Sequence, residues 1–238
     1  LHVFMKAMCN FKPNIDVFKN TYNEFSKTCL EGKAPIAQIR GDFYQVQKLY
    51  VKHGQVQDFF DKTSQLCEEV ENKGNTNLST LLVNELSKLG KNFNLNGKPE
   101  NMLYKAINNS RRNKDGLHEL ARIINLEQIY KYSNNRKDKF KVLRMKKDCC
   151  KRVLANYEAN AKNFLSIKKA PTTKNQVKTQ LAFAYCDLAD MLAQKHPDDA
   201  IALYEKSREI NRELKRYRAA DYAMLCIRDI QEGRYRRY

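Results

Sequence analysis

The 238-residue chain contains no tryptophan, and it is short of glycine and proline, with eight and five. So few turn formers disfavour a sheet-rich fold with its many tight hairpins and leave long stretches free to be helical. Four histidines (His2, His53, His118 and His196) lie scattered along the chain. They offer no zinc-ligand spacing, so neither a metal nor any other cofactor is expected. The seven cysteines, Cys9, Cys29, Cys67, Cys149, Cys150, Cys186 and Cys226, are odd in number and form no Cys-x-x-Cys pair. That pattern points to reduced, buried thiols in a cytoplasmic protein and away from a disulfide framework. No apolar run approaches the roughly eighteen residues needed to span a bilayer. A glycine-rich phosphate loop, HExxH and GxSxG are also missing, so no catalytic residues are assigned and the chain is read as non-enzymatic. The opening LHVFMKAMCNFKP has neither an initiator methionine nor a signal-peptide pattern, and it reads as the cut end of a longer chain.

What is present is a folded composition, 42% hydrophobic and 30% charged, punctuated by a rhythm of helix breakers. Turn clusters fall at Gly32–Pro35, His53–Gly54, Lys73–Asn75, Asn94–Pro99, Lys114–Gly116, Asn134–Asn135, Ala170–Thr173, His196–Asp199 and Glu232–Gly233. Most gaps are about twenty residues, the length of one globular helix. Nearly all carry an apolar stripe of helical period. Ile15, Phe18, Tyr22 and Phe25 begin the series, and Ile36, Ile39, Phe43, Val46 and Tyr50 follow. Later stripes comprise Val56, Phe59, Phe60, Thr63, Leu66, Cys67 and Val70, then Leu78, Leu81, Leu82, Leu86, Leu89 and Phe93. Asn75 to Asn77 are placed to cap the helix that carries the last of these. Lys137–Leu165 reads as the longest uninterrupted helix. The fold class is therefore all-α, with antiparallel helical hairpins stacked as a repeat-like superhelix. Residues 1–34 read as an N-terminal extension with a first helix, and 35–238 as the repeat-like domain.

The net charge of +17 is unevenly distributed. Residues 1–100 hold 13 Lys/Arg against 11 Asp/Glu, a balance of +2, whereas residues 101–238 hold 31 against 16, or +15. A concentrated basic block implies an anionic partner. Its densest run is RKDKFKVLRMKKDCCKR, residues 136–152. The candidate partner-binding residues there are Lys137, Lys141, Arg144, Lys147, Lys151 and Arg152. All but Lys147 fall within about 100 degrees of one helix face at a period of 3.6, with Asp148 the only acid on that arc. Leu143, Cys150, Val153 and Leu154 point the other way. Lys162, Lys168, Lys169, Lys174 and Lys178 continue the basicity. Cys149 and Cys150 stand beside Lys146, Lys147 and Lys151, a setting that lowers a thiol pKa. No histidine is near, however, and the stripe takes Cys150 inward, so both are read as structural.

The last third carries a more specific pattern. Tyr185-x-x-Leu188-Ala189-x-x-Leu192 is followed after a turn by Ala200-x-x-x-Tyr204. A second copy starts 37 positions on with Tyr222-x-x-Leu225-Cys226 and ends in Gln231-Glu232-Gly233-Arg234-Tyr235. This resembles the tetratricopeptide repeat, over about Gln180–Tyr238. In such repeats small residues let two antiparallel helices approach while aromatic and large residues fill the space around them. The resemblance departs in a turn one residue short, in Arg212 near the place of the terminal proline, and in Asp229 where a large residue belongs. It implies a curved scaffold that holds a peptide or helix of another protein.

The expected function is thus a protein-interaction scaffold whose basic face recognises an acidic protein or peptide segment. A second reading merges the helices into three long rods, roughly Pro35–Phe93, Pro99–Lys168 and Lys174–Gln231, as a membrane-binding dimer resembling a BAR domain on anionic, curved membranes. The breaks at Gly54, Gly74, Gly116 and Pro197 oppose it. RNA binding is a third reading, supported by charge alone.

Overall fold

The structure, a computed structural model, describes residues 15–95, 97–131, 135–158 and 173–235, with side chains from residue 19 onward. Ten helices run through these residues: α1 (Ile15–Glu31), α2 (Ile36–Lys52), α3 (Val56–Asn72), α4 (Thr76–Asn92), α5 (Lys98–Arg112), α6 (Gly116–Tyr130), α7 (Arg136–Ala155), α8 (Lys174–Leu192), α9 (Pro197–Glu213) and α10 (Tyr217–Gln231). There is no strand among the described residues, and the fold is all-α. Consecutive helices pack on one another, an arrangement compatible with a helical-repeat fold.

One local device ends six of the helices. After α2, α3, α4, α5, α9 and α10 a residue of positive φ is followed by a backbone N–H that reaches back five residues to a helix carbonyl. These bonds, including Gln55 N–H to Tyr50 O and Asp115 N–H to Ser110 O, span 2.8–3.1 Å. This is the Schellman closure, which satisfies the carbonyls a helix end leaves unpaired. The left-handed position is glycine at Gly54, Gly74 and Gly233, where lack of a Cβ makes it inexpensive. It is Asn94, Lys114 and Lys215 in the others. Side chains cap the opposite ends. Asn75, Asp115 and Asn135 accept from Leu78, His118 and Asp138 N–H, and Thr173 forms a capping box with Gln176.

The chain divides into two compact units, Leu1–Ala106 and Ile107–Tyr238. In the first, α1, α2 and α3 pack mutually and α3 packs on α4. The expected stripes supply the interior, since Phe25, Ile39, Phe43, Val46, Tyr50, Phe59, Phe60, Leu66, Cys67 and Val70 are all buried, but Ile36 and Phe93 at the ends of their stripes are exposed. Tyr22, Phe43, Tyr50 and Phe59 meet largely edge to face, with ring centres 5.3–6.3 Å apart in the Tyr22–Phe59 and Phe43–Phe59 pairs and between. The buried carboxylate of Glu85 accepts from Tyr44 Oη at 2.8 Å and pairs with Arg40 and Lys88, tying α2 to α4. The side chains of Ile15 and Phe18 lie outside the description.

In the second unit α6, α7, α8, α9 and α10 pack in sequence, each on the next. Tyr185, Leu188, Ala189, Ala200 and Tyr204 are all buried, with Ala189, Ala200 and Tyr204 in one cluster with Ala223 and Cys226. Asp190 accepts from the hydroxyls of Tyr204 and Tyr235, which holds the segment after α10 against the α8–α9 hairpin. The second copy of the pattern does not repeat this burial. Tyr222 and Leu225 are about half exposed, and α10 buries Ala220, Ala223, Cys226 and Ile227 instead. The reason is that α10 has one substantial helical neighbour among the described elements, α9, whereas α8 has two.

The expected helix Lys137–Leu165 is corrected: α7 ends at Ala155, with Asn156 outside helical geometry at φ −129° and ψ 40°. Ala161 to Leu165, together with Lys162, Lys168 and Lys169, lie outside the described residues. The rods of the membrane reading are interrupted at the left-handed turns of Gly54, Gly74 and Lys114.

Two substitutions test these packing devices. A Cβ on Gly90 of α4 meets Pro99 Cγ at 2.2 Å and Phe60 at 3.1 Å. Gly90→Ala should therefore lower the melting temperature, since overpacking costs about 1–3 kcal/mol while alanine returns only about 1 kcal/mol of helix propensity. A rise in melting temperature would mean that the two segments do not approach so closely. Lys215, at φ 56°, carries a left-handed penalty of about 1–2 kcal/mol. Lys215→Gly should raise the melting temperature by a few degrees, partly offset by glycine's greater freedom when unfolded. A fall would remove the Schellman assignment there.

Candidate partner-binding face

The basic run folds as α7, a 20-residue helix. Asn135 caps its start, and Asp138 lies in the first turn, where the helix dipole favours a negative charge. One side of α7 is interior: Val142, Leu143, Cys149, Cys150 and Val153 are buried, and Leu143 packs with Leu188 and Met191 of α8. The Arg136 guanidinium donates to the Met191 carbonyl. Both helices are thereby locked in register, and the remaining side of α7 faces solvent.

The six sequence-derived residues take three different situations. Lys137, Lys141 and Arg144 are exposed. Among the described residues Lys137 and Arg144 make no ion pair. Lys147 is half-buried, with its ammonium 3.3 Å from Asp148, and Lys151 is exposed with its ammonium 5.9 Å from the centre of the Tyr185 ring. Arg152 is exposed at one edge and donates to both oxygens of Glu119 at 2.8 and 2.9 Å. Lys137, Lys141, Arg144 and Lys151 thus share the outward side, Lys147 lies at its edge, and Arg152 joins a second set of charges around Glu119.

Four residues here, Lys146, Arg111, Glu119 and Asp187, carry no assignment from sequence. Lys146 is inside, its side chain 3% exposed, and its ammonium meets Glu127 of α6 at 2.7 Å. Its position was available on the helical wheel, since Val142 and Cys150 flank it at four residues and Leu143 and Cys149 at three. Arg111 and Glu119 had no local signal, because their link to Arg152 exists only once α5, α6 and α7 are packed. Asp187 of α8 was also missed. Burial pushes its carboxyl up to about 6; Glu127 and Asp190 add to the rise, while Lys146 and Lys139 oppose it.

The cysteines behave as structural groups. Burial holds the Cys149 thiol well above its ordinary pKa and pushes Cys150 up to about 12, so the neighbouring lysines do not generate a thiolate. Cys29, Cys67, Cys149, Cys150, Cys186 and Cys226 are free thiols, five of them buried; Cys9 and His2 lie outside the description. Among the described residues no three His, Cys, Asp or Glu side chains group to hold a metal ion. No described helix is long and apolar enough to cross a membrane. The sequence matches no protein-family model, and a search of curated proteins returns no significant match.

Asp187 gives this unit a defined response to pH. With its folded pKa raised, the neutral carboxyl favours the folded state, and that contribution is complete below about pH 4. It is lost as pH rises through about 6. Asp187→Asn should therefore be more stable than the native chain at pH 7 by about 2 kcal/mol, and nearly equal to it at pH 4. Urea unfolding at the two pH values measures the difference. An equal gap at both would show that the Asp187 pKa is not raised in the folded chain.

Proposed function

We propose that this protein is a non-enzymatic interaction scaffold whose basic α7 face recognises an acidic segment of another protein. The observation that carries the reading is the separation of the two sides of α7. Its 20 residues hold nine cations against two acids, and Lys137, Lys141, Arg144 and Lys151 stand together on the exposed side. Like charges gathered on one rigid surface raise the local potential, which attracts and orients an anion. Arg144 adds a planar fork of donors suited to a carboxylate.

The architecture supports a scaffold of tetratricopeptide-like character at the α8–α9 hairpin. There the small residues Ala189 and Ala200 are buried with Tyr204 between closely packed helices, as the repeat pattern requires. The departures at Tyr222 and Leu225 limit that likeness to one hairpin. The acidic-segment reading is preferred to the membrane dimer because the latter needs uninterrupted rods, and α2–α3, α3–α4 and α5–α6 are separated by left-handed turns.

Reversing Lys141 and Arg144 to Glu should abolish binding to an acidic peptide at low salt without unfolding the chain. Exposed substitutions change stability by only about 0.5 kcal/mol. Added salt should weaken the native interaction, since screening acts over about 8 Å at physiological ionic strength. Peptide anisotropy, liposome flotation and RNA gel shift, run on native and double-variant protein, form the test. Equal peptide binding by both proteins removes the proposed face. Binding to anionic liposomes or RNA without binding to acidic peptide replaces the reading with the corresponding alternative.

A further inference from the structure

Beside the C-terminal end of the α7 face lies a cleft of about 450 Å³ lined by Arg111, Lys114, Gly116, Glu119, Arg152, Val153 and Asn156. We propose that it is a carboxylate pocket that anchors one acidic side chain, or a chain-terminal carboxylate, of the partner segment. The inference rests on the acidic-segment reading and deepens it by naming where a single anionic group is held.

Charge and donor geometry carry the argument. Glu119 is almost completely buried, its side chain 4% exposed, and two guanidiniums from different helices converge on it. Arg111 donates through Nε at 3.0 Å and Nη2 at 2.8 Å to Oε1, while Arg152 uses Nη2 on both oxygens. Each guanidinium carries five N–H donors. One carboxylate therefore occupies a minority of those available, and among the described residues neither arginine bonds another acceptor. Both are about half exposed, at 49% and 52%. Lys114 adds a third, exposed cation at the turn between α5 and α6. Three cations against one carboxylate leave the cleft with a surplus of two positive charges.

The donors that Glu119 leaves over for a second carboxylate are Nε and Nη1 of Arg152 and Nη1 of Arg111. A carboxylate's two oxygens can divide between donors of the two arginines, each bond strengthened by the charge on both sides. Val153 and Gly116 provide lining without charge, which suits the short aliphatic stem of Asp or Glu. Glu119 has two roles in this arrangement. It holds the two arginines apart in a fixed geometry, and its own charge competes with the incoming group.

That competition yields a test in which one variant gains affinity. The probe is a fluorescently labelled oligo-glutamate peptide, with oligo-glutamine as the uncharged control. Glu119→Gln keeps the size and an acceptor oxygen for the arginines while removing the charge, and it should bind oligo-glutamate several-fold more tightly than the native chain. Arg111→Gln should bind about tenfold more weakly, the scale of one charge-assisted hydrogen bond. Lys114→Gly should bind about threefold more weakly, as expected for an exposed charge. Lys114→Gly also relieves the left-handed backbone at φ 55°, so it remains informative if Arg111→Gln fails to fold. Circular dichroism melts establish which variants are folded. Unchanged affinity in Lys114→Gly and Glu119→Gln, with native binding intact and Lys141→Glu/Arg144→Glu defective, overturns the pocket and leaves the α7 face standing. Failure of the native protein to prefer oligo-glutamate over oligo-glutamine overturns both. Competition by inorganic phosphate far below the concentration at which acetate competes would overturn the assignment to carboxylate.

Discussion

A lysine ammonium in the interior fixes the orientation of the most basic helix. Lys146 is on the buried side of α7, and Glu127 of α6 meets it at 2.7 Å. Taking a charge out of water costs several kcal/mol unless a partner compensates. Rotating α7 to expose Lys146 would also expose Leu143 and Cys150, while rotating it further inward would bury Lys141 or Lys147. The pair therefore selects the one rotation in which the apolar stripe is covered and the cations face water. Half-buried Asp187 from α8 shares the same surroundings, and burial raises its carboxyl pKa.

The same economy of close approach governs the rest of the molecule. Gly90 admits Pro99 at a distance that no Cβ tolerates, and buried Ala189 and Ala200 contribute to the core of the α8–α9 hairpin. Schellman closures then turn the chain within a few residues after six of the helices. Carboxylates cross-link the packed helices, Glu85 in the first unit and Glu119 in the second, each serving two cations. Both are buried, which makes their partners part of the fold as well as of the surface charge.

Much of this was legible in the residues. The stripe through Phe59, Thr63, Leu66 and Val70 placed the interior of α3, and the run Asn75–Asn77 marked the start of α4, where Asn75 is the residue that caps. The spacing of Ala189, Ala200 and Tyr204 placed them in one cluster, whereas Leu188 packs with Leu143 of α7 and Tyr185 is buried outside that cluster. The residues divide the last stretch into helices of roughly Asp198–Arg216 and Arg218–Gln231, and the turn between them falls about two residues earlier, around Lys215, whose left-handed backbone no Gly or Pro announces. In the turn before α6 the left-handed residue is Lys114, while Gly116, which attracted notice, is the first helical residue. The end of α7 at Ala155 was missed because Asn156 is a weak breaker within a helix-favouring run. The Arg111–Glu119–Arg152 cluster spans 41 positions and three helices, and no local pattern announces a contact of that kind. Tyr222 and Leu225 matched the repeat by type, yet burial depends on a neighbouring helix that pattern alone does not supply.

The central claim is that one surface, the outward side of α7 with the turn at Arg111–Lys114, receives the acidic partner. The most direct measurement is an amide chemical-shift map of isotopically labelled protein titrated with oligo-glutamate. The account predicts shifts concentrated at Lys137, Lys141, Arg144, Lys151 and Arg152 and at Arg111–Lys114, all diminishing with added salt. Shifts concentrated instead on α10 around Tyr222 and Leu225, or spread evenly over lysines of both units, would contradict it.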